Sequence, residues 1–397
     1  MSRGVTSRGV MSRALPLTGV RVINFGIGGV APFAASQLAQ LGATVVKVEA
    51  PNEFIMYTLP PWRGLTTTYA ALNANCRSVT LNLKDEADRA HAWRLVETAD
   101  VILENFRSGA IDRMGFGFAA VAVRNPRIVF CSSSGFGREG EMAGLPCTDP
   151  HIQAFSGFAA LNGRSQGGER VRYYGMIDLY TGQRICEAVL AALIARRRRA
   201  RPQYVEMTML GAATALLLTQ FAGYLCGGPP PTHRTARHTA PDGLYPTADH
   251  PIAVTVESDA QFGALCQAIE HEDLRADSRF VTAPARLANM AALDEELARR
   301  LATAPCDWWL VALRRAGVPC ARAHLDHEVS AHVDMWRRGN LRDVEVTGAG
   351  TLRAAAPPWD FEGIDQVAGR APRPGQDTDL LRDGEDAFWE AVEQKER

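Results

Sequence analysis

The feature that most constrains this chain is an alternation of short β-branched runs and helical stretches through its first 200 residues. Val20-Arg21-Val22-Ile23 lies between Gly19 and Gly26, and similar apolar runs fall at residues 43–48, 79–83, 101–103 and 128–130. Helical patterns occupy residues 31–41 and 85–98 between them. Strands separated by helices pair in parallel, with helices covering both faces of the sheet. The expectation is therefore an α/β fold with a Rossmann-like large domain. Two more helices are predicted, at 178–195 and 207–226.

A length of 397 residues exceeds what a single hydrophobic core normally serves, so two domains are expected. Residues 1–14 repeat Ser-Arg-Gly-Val and read as a frayed leader or as a start set upstream of Met11. The large domain is assigned to 15–226. The Gly- and Pro-rich stretch at 227–242 reads as a linker or a loop over a site. A smaller α+β domain follows at 243–327, and 328–397 reads as a segment returning to the large domain. Residues 207–226 carry no charge, but Gly211, Gly223 and four polar residues interrupt them, and such a stretch occurs once. It reads as a buried helix rather than a membrane span.

Charge excludes a further class. With 43 Lys and Arg against 44 Asp and Glu, the chain lacks the basic surface a general nucleic-acid binder needs. The eight cysteines contain no C-x-x-C pair, which argues for reduced thiols in a cytoplasmic protein and against a zinc or redox site. No metal is expected.

Gly26-Ile27-Gly28-Gly29-Val30-Ala31 fits the G-x-G-x-x-A pattern between a strand and a helix, and Glu49 stands 23 residues after Gly26. That is where a dinucleotide-binding fold places its ribose-binding acid. Glycines there allow close backbone approach, and helix N-terminal amides hold phosphate. Pro32 removes one of those amides. Two readings stay open: a dinucleotide site, or a tight turn that admits some other ligand.

Three stretches narrow the choice: Leu17-Thr18-Gly19-Val20-Arg21-Val22-Ile23-Asn24-Phe25, Ala31-Pro32-Phe33-Ala34, and residues 41–49 ending in Lys47-Val48-Glu49. With Asn73-Ala74-Asn75-Cys76-Arg77, Glu104-Asn105-Phe106-Arg107-Ser108-Gly109 and Ser134-Gly135-Phe136-Gly137, the chain resembles the family III CoA-transferases, the CaiB/BaiF family. The resemblance runs from Leu15 onward and is strongest up to Glu206. It implies an interlocked homodimer of two-domain chains, and coenzyme A or acyl-CoA as substrate with no permanently bound cofactor. The loop at Gly26, Gly28 and Gly29 would admit coenzyme A. Better-studied members carry larger polar side chains where Ile27 and Gly29 stand.

By the same resemblance, Asp178 in Gly175-Met176-Ile177-Asp178 inherits the role of covalent nucleophile. A carboxylate attacks a thioester to give a mixed anhydride, dividing one hard exchange into easier steps. Asp149, 29 residues earlier, matches a second acidic position near the nucleophile. Two carboxylates in one pocket push their pKa values apart. As bare sequence, each aspartate also reads as a helix N-cap. Arg77, Asn105, Phe106 and Arg113 match the family's CoA contacts, with arginine suited to gripping phosphate. Tyr174 is expected to shape the acyl pocket, while Arg237 and His238 are expected to meet the acid substrate. One rival is an α-methylacyl-CoA racemase, which needs an acid and a base on opposite faces of the α-carbon. Thr148 stands where racemases often have histidine, so transferase is preferred. A dinucleotide-binding or non-catalytic homologue is the second rival.

Overall fold

The computed structural model describes residues 14–51, 61–161, 175–228, 237–362 and 369–394. Six strands form one parallel sheet: β1 (Arg21–Asn24), β2 (Thr44–Glu49), β3 (Cys76–Thr80), β4 (Val101–Glu104), β5 (Val129–Ser134) and β6 (Gln203–Thr208). Their order across the sheet is β3-β2-β1-β4-β5-β6, the Rossmann arrangement. The order reverses between β1 and β4, so the loops leaving those two strands diverge and open a crevice at the carboxyl edge.

Alternation along each strand divides the core in two. Val22, Val45, Val101 and Val129 face one side, packing with Leu38 of α1 (Val30–Gln40) and Ile185 and Val189 of α4 (Met176–Arg196). Their neighbours Ile23, Val46, Ile102 and Phe130 face the other side, against Ala92, Leu95 and Val96 of α2 (Glu86–Thr98). Asp85 caps α2 by accepting from the amides of Ala87 and Asp88. A short helix, α3 (Asp149–Phe155), precedes α4.

The described residues divide into two compact units, the first comprising 14–51, 61–161, 175–218, 336–362 and 369–394, the second 219–228 and 237–335. In the second, β7 (Asp242–Tyr245), β8 (Ile252–Thr255) and β9 (Cys320–Arg322) form an antiparallel sheet with β8 central. Its core joins Ile252 and Val254 to Phe262, Leu293, Leu297, Trp309 and Leu313 from the surrounding helices.

Back in the first unit, β10 (Leu341–Val346) and β11 (Gly350–Ala355) form a hairpin, with β12 (Arg370–Ala371) parallel to β10. Residues 375–378 then cover the open edge of the main sheet. Asp377 exchanges bonds with Ser78 on β3, accepting from its amide at 3.0 Å and donating to its carbonyl at 2.8 Å. The Thr80 amide donates to Thr378 Oγ1 at 2.9 Å. An edge strand with its polar groups occupied cannot recruit another chain. The chain then forms α7 (Thr378–Asp383) and α8 (Glu385–Gln394), separated at Gly384. Phe388, Trp389 and Val392 of α8 complete the second core, and Arg21 stacks over Trp389 at 4.4 Å.

The continuous buried helix expected at 207–226 is not what forms. Residues 203–208 are β6, and Thr208 then caps α5 (Met209–Leu216) by accepting from Gly211 N. After a break at Leu217 comes α6 (Leu218–Leu225), in which no residue is buried and Leu218 and Leu225 are 68% and 78% exposed. Among the described residues no helix is long and apolar enough to cross a membrane.

Candidate active site

Asp178 lies in the first turn of α4, and its position follows from how that helix docks. Gly182, one turn further on, lies against α1: a Cβ there would come within 2.7 Å of the Val30 carbonyl and 3.3 Å of the Ala34 amide. Without that side chain the two helices pack backbone to backbone, which brings Asp178 to the beginning of α1. Gly29, the N-cap of α1, faces it directly. A Cβ on Gly29 would sit 2.7 Å from Asp178 Oδ2. The φ of Gly29 is −91°, open to any residue, so the demand for glycine here is steric. No side chain caps α1, which leaves its first amides for an anion.

Asp149 supports α4 from below. Gly175, the N-cap of α4, has no side chain, and the buried Asp149 carboxylate replaces it. Its Oδ2 accepts from the amides of Ile177 at 2.7 Å and Asp178 at 3.1 Å, while Oδ1 accepts from Gln153. Burial, and secondarily the charge of Asp149, push the Asp178 carboxyl up to about 7. Cys147 shares this surrounding. Burial and the same two carboxylates, Asp178 first, raise its thiol to about 11 and keep it neutral.

A cavity of about 700 Å³ opens at the carboxyl ends of β1, β2, β3 and β4. Phe25, Val48, Leu81, Phe106 and Met114 give it apolar walls, and Lys84, Arg89 and Arg113 give it cations. Phe106 and Arg113, which the resemblance implies as coenzyme A contacts, both line this cavity. Lys84 and Arg89 were not singled out, although both flank the Asp85 cap that starts α2. Arg89 is partly engaged: its guanidinium donates to the Met114 carbonyl at 2.6 Å and lies over Phe116. Glu49 also lines the cavity, but the Tyr69 and Ser78 hydroxyls both donate to its Oε1 at 2.6 Å. The acid that a dinucleotide site would offer to ribose is thus held by the chain's own hydroxyls.

Other expected contacts lie elsewhere. Arg77 does not line the cavity; it shares a face of β3 with Val79, and its guanidinium donates to the Val392 carbonyl of α8 at 3.2 Å. Asn105 turns its amide toward the glycine loop, accepting from Ile27 N and donating to Ile27 O, both at 2.7 Å. Gly26 and Gly28 lie in that same loop, Gly28 with φ +71°. Arg237, in the second unit, donates to its own carboxylate partner, Asp294, at 2.8 Å, and His238 is exposed. Tyr174 lies outside the described residues. His151 Nδ1 accepts from the Thr148 amide in the cap of α3. Among the described residues, no cluster of three or more His, Cys, Asp or Glu side chains is placed to hold a metal ion.

A parallel sheet with its crevice at the switch point, and a carboxyl pushed up to about 7 against a glycine loop, suit acyl or CoA transfer. The family comparison agrees: residues 17–378 match the model for CoA-transferase family III, and the chain belongs to that family. It is 35% identical over 309 residues to an acetyl-CoA:oxalate CoA-transferase of Acetobacter aceti, covering 77% of this chain and 79% of that one. It is 31% identical over 350 residues to a succinate–glutarate CoA-transferase of Agrobacterium fabrum, covering 84% and 86%. Among solved structures, a CaiB/BaiF family protein from Brucella suis superposes with a TM-score of 0.84 at 28% identity, covering 94% of this chain and 99% of that one.

Proposed function

We propose that the protein transfers coenzyme A from an acyl-CoA to a carboxylic acid, with Asp178 as the covalent nucleophile. The observation that carries this reading is the contact between Asp178 and the glycine loop at the uncapped start of α1. A carboxyl raised to about 7 is roughly half ionised at neutral pH, and burial strips it of solvent that would blunt its attack.

In the first step an Asp178 oxygen attacks the thioester carbonyl carbon, the C–S bond breaks, and coenzyme A leaves as thiolate. The tetrahedral oxyanion forms where the amides of α1 converge. The thiolate then attacks the Asp178 acyl carbon of the mixed anhydride, releasing the donor acid and leaving an aspartyl-CoA thioester. The acceptor carboxylate attacks that thioester, again expelling thiolate and forming a second anhydride. Thiolate attack on the acceptor's acyl carbon gives the new acyl-CoA and restores the Asp178 carboxylate. Every step exchanges one leaving group for one nucleophile. Coenzyme A itself is assigned to the cavity, its phosphates to Arg113, Lys84 and Arg89, and one of its apolar parts to Phe106.

A homodimer accompanies this reading. The support is α6, whose Leu218, Tyr224 and Leu225 are exposed and would be covered by a second copy.

Incubation with an acyl-CoA and hydroxylamine tests the mechanism. The wild type should accumulate a hydroxamate on Asp178, identified by peptide mass spectrometry, and Asp178→Asn should form none. A panel of acceptor acids beginning with oxalate, succinate and glutarate, the acids named for the relatives, then identifies the substrate pair. Deuterium entering the α-carbon of an acyl-CoA without any acceptor would favour racemisation instead. CoA exchange by Asp178→Asn would refute the covalent route.

A further inference from the structure

One side chain joins the loops that diverge at the switch point. Asn105 leaves the end of β4, and its amide makes a two-bond pairing with the backbone of Ile27 in the loop that leaves β1: Oδ1 accepts from the Ile27 amide and Nδ2 donates to the Ile27 carbonyl. Each functional atom of the side chain thereby holds one bond to the chain itself.

The pairing is supported on each side. Glu104, buried at the end of β4, accepts from the Phe106 amide at 2.9 Å and from the Ser132 hydroxyl, which fixes the turn carrying Asn105. Across the crevice, Asn24 Oδ1 accepts from the Gly26 amide at 2.8 Å. Gly26 is pressed so closely that a Cβ there would lie 2.7 Å from Asn105 Oδ1 and 2.3 Å from the Ala31 Cβ. Two residues beyond Ile27, Gly29 meets Asp178. One residue beyond Asn105, Phe106 lines the cavity. A continuous line of contacts therefore runs from the cavity wall through Asn105 and Ile27 to Asp178.

We propose that Asn105 is a positioning residue that clamps the glycine loop against Asp178. Its amide sets where the loop, and the amides at the start of α1, stand relative to the reacting carbonyl. The proposal rests on the reading of Asp178 as nucleophile.

The test uses the full chain with acetyl-CoA as probe. Asn105→Asp keeps the size and an acceptor for Ile27 N, but loses the donor and sets an oxygen against the Ile27 carbonyl. Asn105→Ala removes both bonds. Hydroxamate formation on Asp178 at saturating acetyl-CoA should fall about 10- to 100-fold in both variants, the scale of an ångström-sized misplacement. The dissociation constant of free coenzyme A, measured by calorimetry, should stay within about threefold, as for a group not touching the ligand. Weakened coenzyme A binding with an unchanged saturated trapping rate would overturn the clamp in favour of a direct contact. Equal loss of both, with a lower melting midpoint in both variants, would overturn it in favour of a purely structural role, as would trapping at the wild-type rate. A wild-type protein with no adduct on Asp178 would refute the nucleophile reading itself, which distinguishes the two failures.

Discussion

Asp149→Asn is the most informative single perturbation. The substitution keeps the size of the side chain, and an amide oxygen still accepts from the Ile177 and Asp178 amides that Asp149 now caps. What disappears is a negative charge, together with the acceptor for Gln153. Asp178 titrates near 7, from an ordinary 3.8, through burial first and the Asp149 charge second. Removing the second cause must lower the midpoint, and leaving the first must keep it above the ordinary value. With a midpoint near 7, about a tenth of the wild-type carboxyl is ionised at pH 6 and about nine tenths at pH 8, a roughly tenfold difference in competent enzyme. If the variant's midpoint falls by about one unit, that difference shrinks to roughly twofold. The assay is rapid-quench release of coenzyme A from acetyl-CoA in a single turnover, followed from pH 5 to 9. The first half-reaction should rise through a midpoint near 7 in the wild type and through a lower one in Asp149→Asn. A variant midpoint equal to or above the wild-type one, in a protein that melts normally, would refute the electrostatic role of Asp149.

Three further outcomes follow from the same geometry. Because folding raises the Asp178 proton affinity, its ionisation opposes folding. The cost is absent below about pH 4, grows between there and pH 7, and reaches at most about 4 kcal/mol above it. Asp178→Asn should therefore melt higher than wild type at pH 8 in differential scanning calorimetry, with the gap narrowing towards pH 4; a constant gap would contradict it. Gly29→Ala adds a methyl 2.7 Å from Asp178 Oδ2 at a φ that alanine adopts freely, so Asp178 trapping should fall at least about tenfold while the far-ultraviolet spectrum is retained. Trp389→Ala removes a buried ring and its stacking with Arg21, and should cost about 3–5 kcal/mol in urea denaturation despite lying outside the site.

Much of this arrangement is legible in the residues, and the gaps have physical causes. Four of the six strands of the main sheet announce themselves as apolar runs between turns; the fifth, β3, lies at Cys76–Thr80, beginning three residues before the apolar run at 79–83. The sixth does not announce itself: Gln203-Tyr204-Val205-Glu206-Met207-Thr208 is a half-buried edge strand with polar residues along it, and its last residues merge into the uncharged run that follows. That run read as one helix because nothing in its composition marks the break at Leu217. The matching motifs single out Asp178 and Gly29, which the fold brings together, and Phe106 and Arg113, which it sets at one cavity. Contacts made through folding are not legible. Arg77 sits in a matching motif, yet its guanidinium reaches α8. The role of Gly182 shows only in the packing of α4 on α1.

The return of residues 369–394 to the first unit has a consequence for synthesis. All six strands of the main sheet are made by Thr208, but one of its two cores lacks Phe388, Trp389 and Val392 until about 180 residues later. At roughly 5–20 residues per second, that interval lasts on the order of 10–40 s. During it, the edge of β3 has no Asp377 to pair with Ser78, and the part of the second core that α8 completes lies bare. The core residues of the second unit run from Ala240 to Val318 and are in hand much sooner. Nascent chains should accordingly present a folded second unit beside an unfinished first one, and that window is when this protein most needs protection from aggregation.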